Sequence, residues 1–233
     1  MNPAARREQA TALRELYDAP GFEPRAWRDA ADPAFIAVTL IERSIARLAP
    51  ELGGELLDVG CGQRPYASYF THAKRQQACD FAAKRGPVDF ECPAHRVPLP
   101  DGSLDSILCT ELLEHVPDPA AVWREFHRLL RPGGKVLLTT PMYWPGHEEP
   151  RDFYRYPEFG LRHLAEQAGF EVRKLIPRGG VWAFFGQVIQ HVIPQYLRFR
   201  WQRKFLNRLF LKLDAWRCNP QITAGWTILA VRK

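Results

Sequence analysis

Apolar residues recur at helical spacing over residues 33–48 (PAFIAVTLIERSIARL), and Pro50 with Gly53-Gly54 stops them, which predicts a leading helix. The pattern then breaks into short apolar runs. Residues 55–59 (ELLDV) enter Gly60-Cys61-Gly62, predicting a buried strand and a tight turn, with a helix starting at Pro65. Residues 76–80 (QQACD) predict a second strand that ends on a carboxylate, 88–90 a third and 104–110 (LDSILCT) a fourth. A helix at 119–130 follows, then the turn Arg131-Pro132-Gly133 and a fifth strand at 134–140 (GKVLLTT). A helix at 159–168 and a strand at 171–176 continue the alternation, which predicts a mostly parallel sheet with helices on both faces.

The rhythm changes after that strand. Residues 181–193 are apolar at helical spacing, Pro194 breaks them, and 202–217 form a second amphipathic segment. Only then comes a last strand at 223–232 (TAGWTILAVR), rich in β-branched and aromatic residues. An insertion of roughly 45 residues between the last two strands is far longer than an ordinary connection. The expected organisation is therefore an N-terminal helical segment at 1–53 and an α/β core at 54–233 carrying a helical insertion at 179–220.

Composition narrows this picture. The 233 residues suffice for one α/β domain. The start, MNPAARREQA, lacks the apolar centre of a signal peptide, and no stretch reaches the roughly 18 uninterrupted apolar residues of a membrane span. Five cysteines, an odd number with no CxxC spacing, argue against a disulfide framework or a zinc site, so a cytoplasmic chain without a metal is expected. The formal charge of +6 is local. Between Gln195 and Arg217 stand Arg198, Arg200, Arg203, Lys204, Arg208, Lys212 and Arg217 against the single acid Asp214, which points to an anionic partner there.

The strand ending in Asp58-Val59-Gly60-Cys61-Gly62 lets a ligand approach the backbone, because glycine has no Cβ and reaches positive φ. Asp80 follows at the end of the second strand, where a carboxylate can accept both hydroxyls of a ribose. A dehydrogenase shares these parts, but its fingerprint needs a third glycine, and Arg64 and Pro65 stand where it should fall. The order downstream, VPLPDGSLDSILCTELLEHVPDP followed by LLRPGGKVLLTTP, resembles the methyltransferase type 11 group of the class I methyltransferases over about residues 54–170.

That resemblance implies a Rossmann-like seven-stranded sheet with an antiparallel last strand, and S-adenosylmethionine as methyl donor. It implies that Asp58 and the turn after it, Gly60, Cys61 and Gly62, bind the donor, with the turn lining its methionine part. Asp80 then holds the ribose, Phe81 packs on adenine, and Cys109 and Thr110 offer carbonyls to the donor's amino group. Cys92-Pro93 occupies the place where family members carry Asp-Ala, whose acid meets the adenine amino group, and Glu91 is the substitute. From the residues alone, Asp58 and Asp105 also suit hydrogen bonding to backbone amides, Cys61 and Cys109 suit small buried positions, and Glu114-His115 reads as helix-start packing before catalysis.

Ligands of open α/β sheets bind beyond the carboxyl ends of the strands, and the loop after the fifth strand (141–156, PMYWPGHEEPRDFYRY) leaves from that edge. His147 is its one side chain with an unperturbed pKa near neutrality, which makes it the expected base, oriented by Asp152 or Glu148. Tyr143, Trp144, Tyr154, Arg155 and Tyr156 are the expected acceptor contacts. The competing reading is a structural lid of surface ion pairs.

In the basic segment, Phe205, Leu206, Leu209, Phe210, Leu213 and Trp216 fall on one face of a helical wheel and Lys204, Asn207, Arg208 and Lys212 on the other. Three partners fit that pattern: the protein's own acceptor site, a second subunit of a homo-oligomer, or an anionic membrane contacted peripherally through 202–217. A nucleic acid ranks below these, because a stacking platform exposes its aromatics singly. The expected function is methyl transfer to a hydroxyl, carboxyl or amine of a small or amphiphilic acceptor, such as a glycan or lipid-linked molecule. The alternatives are a non-catalytic donor-binding or membrane-associated protein, and an RNA methyltransferase.

Overall fold

A computed structural model describes residues 3–17, 29–82, 88–192 and 199–233. Ile193, Pro194, Gln195 and Arg198, which enter the expectations above, lie outside the described residues. The elements in chain order are α1 (Pro3–Tyr17), α2 (Phe35–Leu48), β1 (Glu55–Val59), β2 (Arg75–Asp80), β3 (Phe90–Glu91), β4 (Leu104–Thr110), α3 (Pro119–Leu129), β5 (Leu130–Pro141), α4 (Glu158–Gln167), β6 (Phe170–Pro177), α5 (Val181–Val192), α6 (Arg200–Trp216) and β7 (Gly225–Arg232). The seven strands form one sheet in the order β3-β2-β1-β4-β5-β7-β6, mostly parallel with the last strands antiparallel and helices around it. This is the Rossmann-like arrangement that the alternation of elements predicts.

Two compact units divide the chain. The first to consider takes in residues 48–141, 146–175 and 227–233. β1 pairs in parallel with β2 on one edge and β4 on the other, and the burial of every residue from Leu56 to Val59 shows both its faces covered, which is why it reads as an apolar run. The strand order reverses there, between β1 and β4, which opens a crevice beyond their carboxyl ends. α3 starts on Asp118, whose carboxylate accepts from the Ala121 amide, with Pro119 at its first turn. It buries Trp123, Phe126 and Leu129, and Trp123 meets the Phe170 ring edge-on at 5.2 Å.

Two local expectations change in this unit. The helix expected from Pro65 is only a 3₁₀ turn over Ala67–Phe70, since the chain must seat Phe70 in the core and return to β2 at Arg75. The fifth strand also begins four residues early. Leu130 already pairs with Leu104, and the Arg131-Pro132-Gly133 turn bulges out before Lys135 pairs with Ser106.

The second unit joins the described residues of 1–47 to 142–145 and 176–226, so the N-terminal helices group with the inserted ones. Leu13 and Leu16 of α1, Ile36 and Leu40 of α2 and Ala183 of α5 form its core, with Phe210 and Leu211 of α6 packed against them. Buried polar groups lock the helices together. Asp214 accepts from the amides of Gly180, Trp182 and Ala183 at the start of α5 and from the Tyr17 hydroxyl at 2.6 Å. Asn207 donates to the carbonyls of Ala30 and Asp32, and Gln187 donates to that of Pro33.

These bonds shift the expected faces of α6 at three positions. Asn207, placed on the solvent side by the helical wheel, is fully buried, while Phe205 and Trp216 of the expected apolar face are 60% and 69% exposed. The reason is that Asn207 and Asp214, seven residues apart on one stripe, satisfy backbone groups of α2's approach and α5's first turn. Among the described residues no helix is long and apolar enough to cross a membrane, and all five cysteines carry free thiols.

Candidate active site

Beyond the ends of β1 and β2 the sheet unit encloses a cleft of about 550 Å³. Its floor is the glycine turn: the Gly60 and Cys61 amides both donate to the Cys79 carbonyl, at 2.9 and 3.2 Å, which wraps the chain over the end of β2. Gly60 sits at φ +70°, and a Cβ there would approach the Leu112 side chain to 2.8 Å, so glycine is required twice over. The Gly62 amide donates to Asp80 Oδ2 at 2.9 Å, tying the turn to the carboxylate at the end of β2.

Gly60, Gly62, Asp80, Phe81 and Cys92 all line the cleft. Cys92, whose thiol accepts a hydrogen bond from that of Cys79, is held below the usual thiol range by that contact. Asp58, Cys61, Cys109 and Thr110 were expected at the donor but do not line the cleft. The Cys61 thiol points back to the Gly62 carbonyl, Cys109 is fully buried in β4, and the next residues along, Glu111 and Leu112, reach the cleft instead. Glu91 is exposed and does not line it.

Asp58 lies beneath the glycine turn, 4% exposed, and its Oδ1 has no hydrogen-bond partner. Burial raises its pKa to about 7, against the counteracting charge of Arg64. An orphaned carboxyl under a turn of close-approach glycines suits a ligand that brings a cationic group, as the ammonium of S-adenosylmethionine does. The reading of Asp58 as a satisfied backbone acceptor does not describe this oxygen. Asp105 does meet it: its Oδ2 accepts from the Glu55 amide at 2.8 Å, and its Oδ1 pairs with Arg131.

The loop after β5 reaches the same cleft. Phe153 and Tyr154 donate their amides to the Glu114 carbonyl at 2.9 and 3.3 Å, strapping the loop to the turn after β4. Arg151 and Glu148 line the cleft, and the Arg151 guanidinium lies over the Phe81 ring, 4.6 Å from its centroid. Glu148 and Glu111 both adopt positive φ (54° and 49°), a conformation uncommon in non-glycine residues and often found at functional sites.

His147 does meet Asp152: Nδ1 is 3.5 Å from Oδ2, and the His147 amide donates to the same oxygen at 3.1 Å. Arg155 makes a forked pair with Asp152, and those hydrogen bonds hold its carboxyl well below the usual range. Glu148 lines the cleft, and the group at His147 is Asp152. Tyr156 and Tyr154 spend their hydroxyls on the Leu113 and Pro117 carbonyls, so both act as struts. Tyr143 and Trp144 belong to the helical unit, where their rings meet Phe184 and His191 of α5.

His115 is the residue that sequence reasoning undervalued. It lines the cleft, and its ring stands edge-on to His147 with centroids 4.6 Å apart. Its Nδ1 is 2.6 Å from the Arg151 carbonyl, so that nitrogen donates there, and Nε2 lies 3.8 Å from Glu114 Oε1. Glu114 itself is fully buried and accepts from the Thr140 hydroxyl at 3.4 Å. The adjacent Glu and His after a strand were the only signal in the sequence.

Comparison with known proteins places this site in context. A ubiquinone biosynthesis O-methyltransferase of Pseudomonas aeruginosa is 32% identical over 143 residues, which is 53% of this chain and 58% of that protein. A probable S-adenosylmethionine-dependent methyltransferase of Mycolicibacterium smegmatis is 33% identical over 54% of this chain and 56% of its own length. The chain thus spans under two thirds of these relatives. Among solved structures, an S-adenosylmethionine-dependent methyltransferase of Mesorhizobium loti shares the fold with a TM-score of 0.53 at 18% identity, over 82% of this chain and 97% of that one. The [4+2]-cyclase SpnF does so with a TM-score of 0.54 at 18% identity, over 98% and 94%. Residues 34–175 match the family described as the methyltransferase domain, which covers the glycine turn, Asp80, the Glu114-His115 turn and the loop after β5. By that match over more than half its length, the chain belongs to the methyltransferase-domain family.

Proposed function

We propose that this protein transfers a methyl group from S-adenosylmethionine to a hydroxyl oxygen of an amphiphilic acceptor. The observation that carries the reading is the His115–His147 pair at the edge of a cleft floored by a glycine turn and walled by Asp80. The relatives named for O-methyl transfer favour oxygen over the amine acceptors that sequence alone left open, and a positioned imidazole suits a hydroxyl, which must lose a proton, better than a carboxyl that is already ionised. S-adenosylmethionine supplies an electrophilic methyl group on a sulfonium. Asp80 accepts the two ribose hydroxyls, Phe81 and Arg151 flank the adenine, and Asp58, buried beneath the glycine turn, offsets the charge of the ammonium. The chain's remaining tasks are to align the acceptor in line with the methyl carbon and to remove its proton. His115 Nε2 takes that proton, and Asp152 steadies the imidazole of His147 beside it.

In a transfer assay with labelled donor and hydroxyl-bearing amphiphiles, His115→Ala should lower kcat about 10²-fold or more. Its affinity for S-adenosylhomocysteine should stay within a few-fold of wild type. Unchanged turnover removes His115 as the base. Failure of the wild type to methylate any hydroxyl acceptor removes the oxygen assignment.

A membrane surface as the place where an amphiphilic acceptor is met follows from α6. Its outward stripe carries Trp201, Phe205, Arg208, Lys212 and Trp216, aromatic and cationic side chains on one exposed face. Anionic phosphatidylglycerol vesicles should therefore sediment the protein, and added salt should weaken this. Replacing Trp201, Phe205 and Trp216 together by serine should reduce the bound fraction at least tenfold. No sedimentation of the wild type in low salt leaves the stripe without this role.

A further inference from the structure

Three of the five cysteines gather around the end of β2: Cys61 in the glycine turn whose amides bond the Cys79 carbonyl, Cys79 itself, and Cys92 just past β3. The ladder between β2 and β3 sets Cys79 against Phe90 and Asp80 against Glu91. The Cys92 amide donates to the Asp80 carbonyl at 2.9 Å, which carries that register one residue further. Side chains two residues apart on a strand share a face, so Cys79, Phe90 and Cys92 project to the same side. Cys79 and Cys92 both line the cleft, and their thiols are hydrogen-bonded to one another.

The three thiols are not equivalent. Burial pushes the Cys61 thiol up to about 12, and its Sγ points to the Gly62 carbonyl. Cys79 is 1% exposed, and the hydrogen bond it donates, together with burial, keeps it protonated. Cys92 receives that bond, which draws it towards the thiolate, and it stands half-buried on the cleft wall. A thiolate-leaning sulfur on an open cleft with a second thiol in contact behind it is the arrangement of an oxidisable pair, in which one sulfur takes the oxidant and the other resolves it.

We propose that Cys92 and Cys79 are a peroxide-oxidisable pair whose disulfide closes the adenine end of the donor cleft. This rests on the placing of adenine beside Phe81 and is indifferent to the acceptor. The Cys92 sulfur attacks one oxygen of hydrogen peroxide, the O–O bond breaks with its electron pair on the departing oxygen, and that oxygen takes the thiol proton, giving a sulfenic acid and water. The Cys79 sulfur then attacks the sulfenic sulfur. The S–S bond forms as the S–O bond breaks, and the departing hydroxide takes the Cys79 proton as a second water. Drawing two thiols from hydrogen-bond contact to a bond of about 2 Å requires movement. Cys79 is fixed in β2 between β1 and β3, whereas Cys92 lies past the last residue of β3 and leads into Pro93, Ala94 and His95 of the cleft wall. Cys92 is therefore the residue that moves, and the wall that adenine would meet moves with it.

The test uses the full chain, reduced and desalted, with S-adenosylhomocysteine as probe and no acceptor. After a small excess of hydrogen peroxide, peptide mapping without reductant should find Cys79 and Cys92 linked. The Kd for S-adenosylhomocysteine should rise about tenfold or more on oxidation and return with dithiothreitol, since the preformed wall is lost and regained. Cys92→Ser, compared with its own reduced form, should lose no affinity on oxidation. Cys79→Ser should accumulate a Cys92 sulfenic acid that dimedone traps. Absence of the Cys79–Cys92 linkage in the treated wild type overturns the pair. Linked protein that binds the probe as tightly as reduced protein overturns the closure, as does a Cys92→Ser variant that loses as much affinity on oxidation as wild type. A reduced wild type that binds no probe fails the donor placement instead, while the mapping still reads the pair.

Discussion

Replacing Asp80 with alanine should weaken binding of S-adenosylhomocysteine by about 10²- to 10³-fold. The carboxylate stands at the end of β2 on the wall of the cleft, where it can accept both hydroxyls of a ribose. Hydrogen bonds to a charged acceptor contribute about 1.5–3 kcal/mol each, and losing two of them amounts to roughly 3–4 kcal/mol after the partners regain water. A second loss is built into the turn. Gly62 donates its amide to Asp80 Oδ2, so the truncation also frees the loop that the donor's methionine part must approach. Asp80→Asn should fall between wild type and alanine, since an amide oxygen still accepts but without charge. Calorimetric titration measures this directly, and an alanine variant within fivefold of wild type would show that the ribose lies elsewhere.

Asp58→Asn should act in opposite directions on stability and on donor binding. Burial raises the Asp58 pKa from 3.8 to about 7, so ionising it in the folded apoprotein costs about 4 kcal/mol in all. The native state therefore holds this proton more tightly than the unfolded chain does. Stability from this source is highest below pH 4, declines as pH rises towards 7, and is flat above. In Asp58→Asn that decline should be absent, and the apoprotein should melt several degrees higher at pH 8 than wild type. Donor affinity should drop at least tenfold at the same pH, because the ionised carboxylate that would face a cationic group is gone. Equal Tm values at pH 8, or unaltered donor affinity, would contradict the account of Asp58 as a strained acceptor awaiting a cation.

The part of the cleft proposed for the donor was legible in the sequence because its residues are local. Gly60, Gly62, Asp80 and Phe81 follow directly from strand ends, and a strand ending on a glycine turn projects its neighbours the same way whatever surrounds it. The histidines at its edge were not legible to the same degree. His147 and Asp152 are five residues apart and were paired from sequence, but His115 stood out only when the loop's Arg151 carbonyl reached its Nδ1 across 36 residues. Tyr143 and Trp144, next to one another in sequence with the other aromatics, belong to a different unit altogether.

Hydropathy by itself determined that this chain builds an alternating, mostly parallel sheet with an inserted pair of helices, since apolar periods of two and of 3.6 residues are properties of contiguous sequence. Gly60 and Gly62 marked a turn open to a ligand, and the resemblance downstream implied the methyl donor. Only the tertiary structure decided which way the inserted helices face and which groups meet beside the cleft. A helical wheel sorts side chains by polarity, whereas Asn207 and Asp214 are buried because backbone groups from α2's approach and α5 must be satisfied. The meeting of Glu114, His115 and His147 is of the same kind: it depends on amides of one loop finding the carbonyl of another, which no local pattern records.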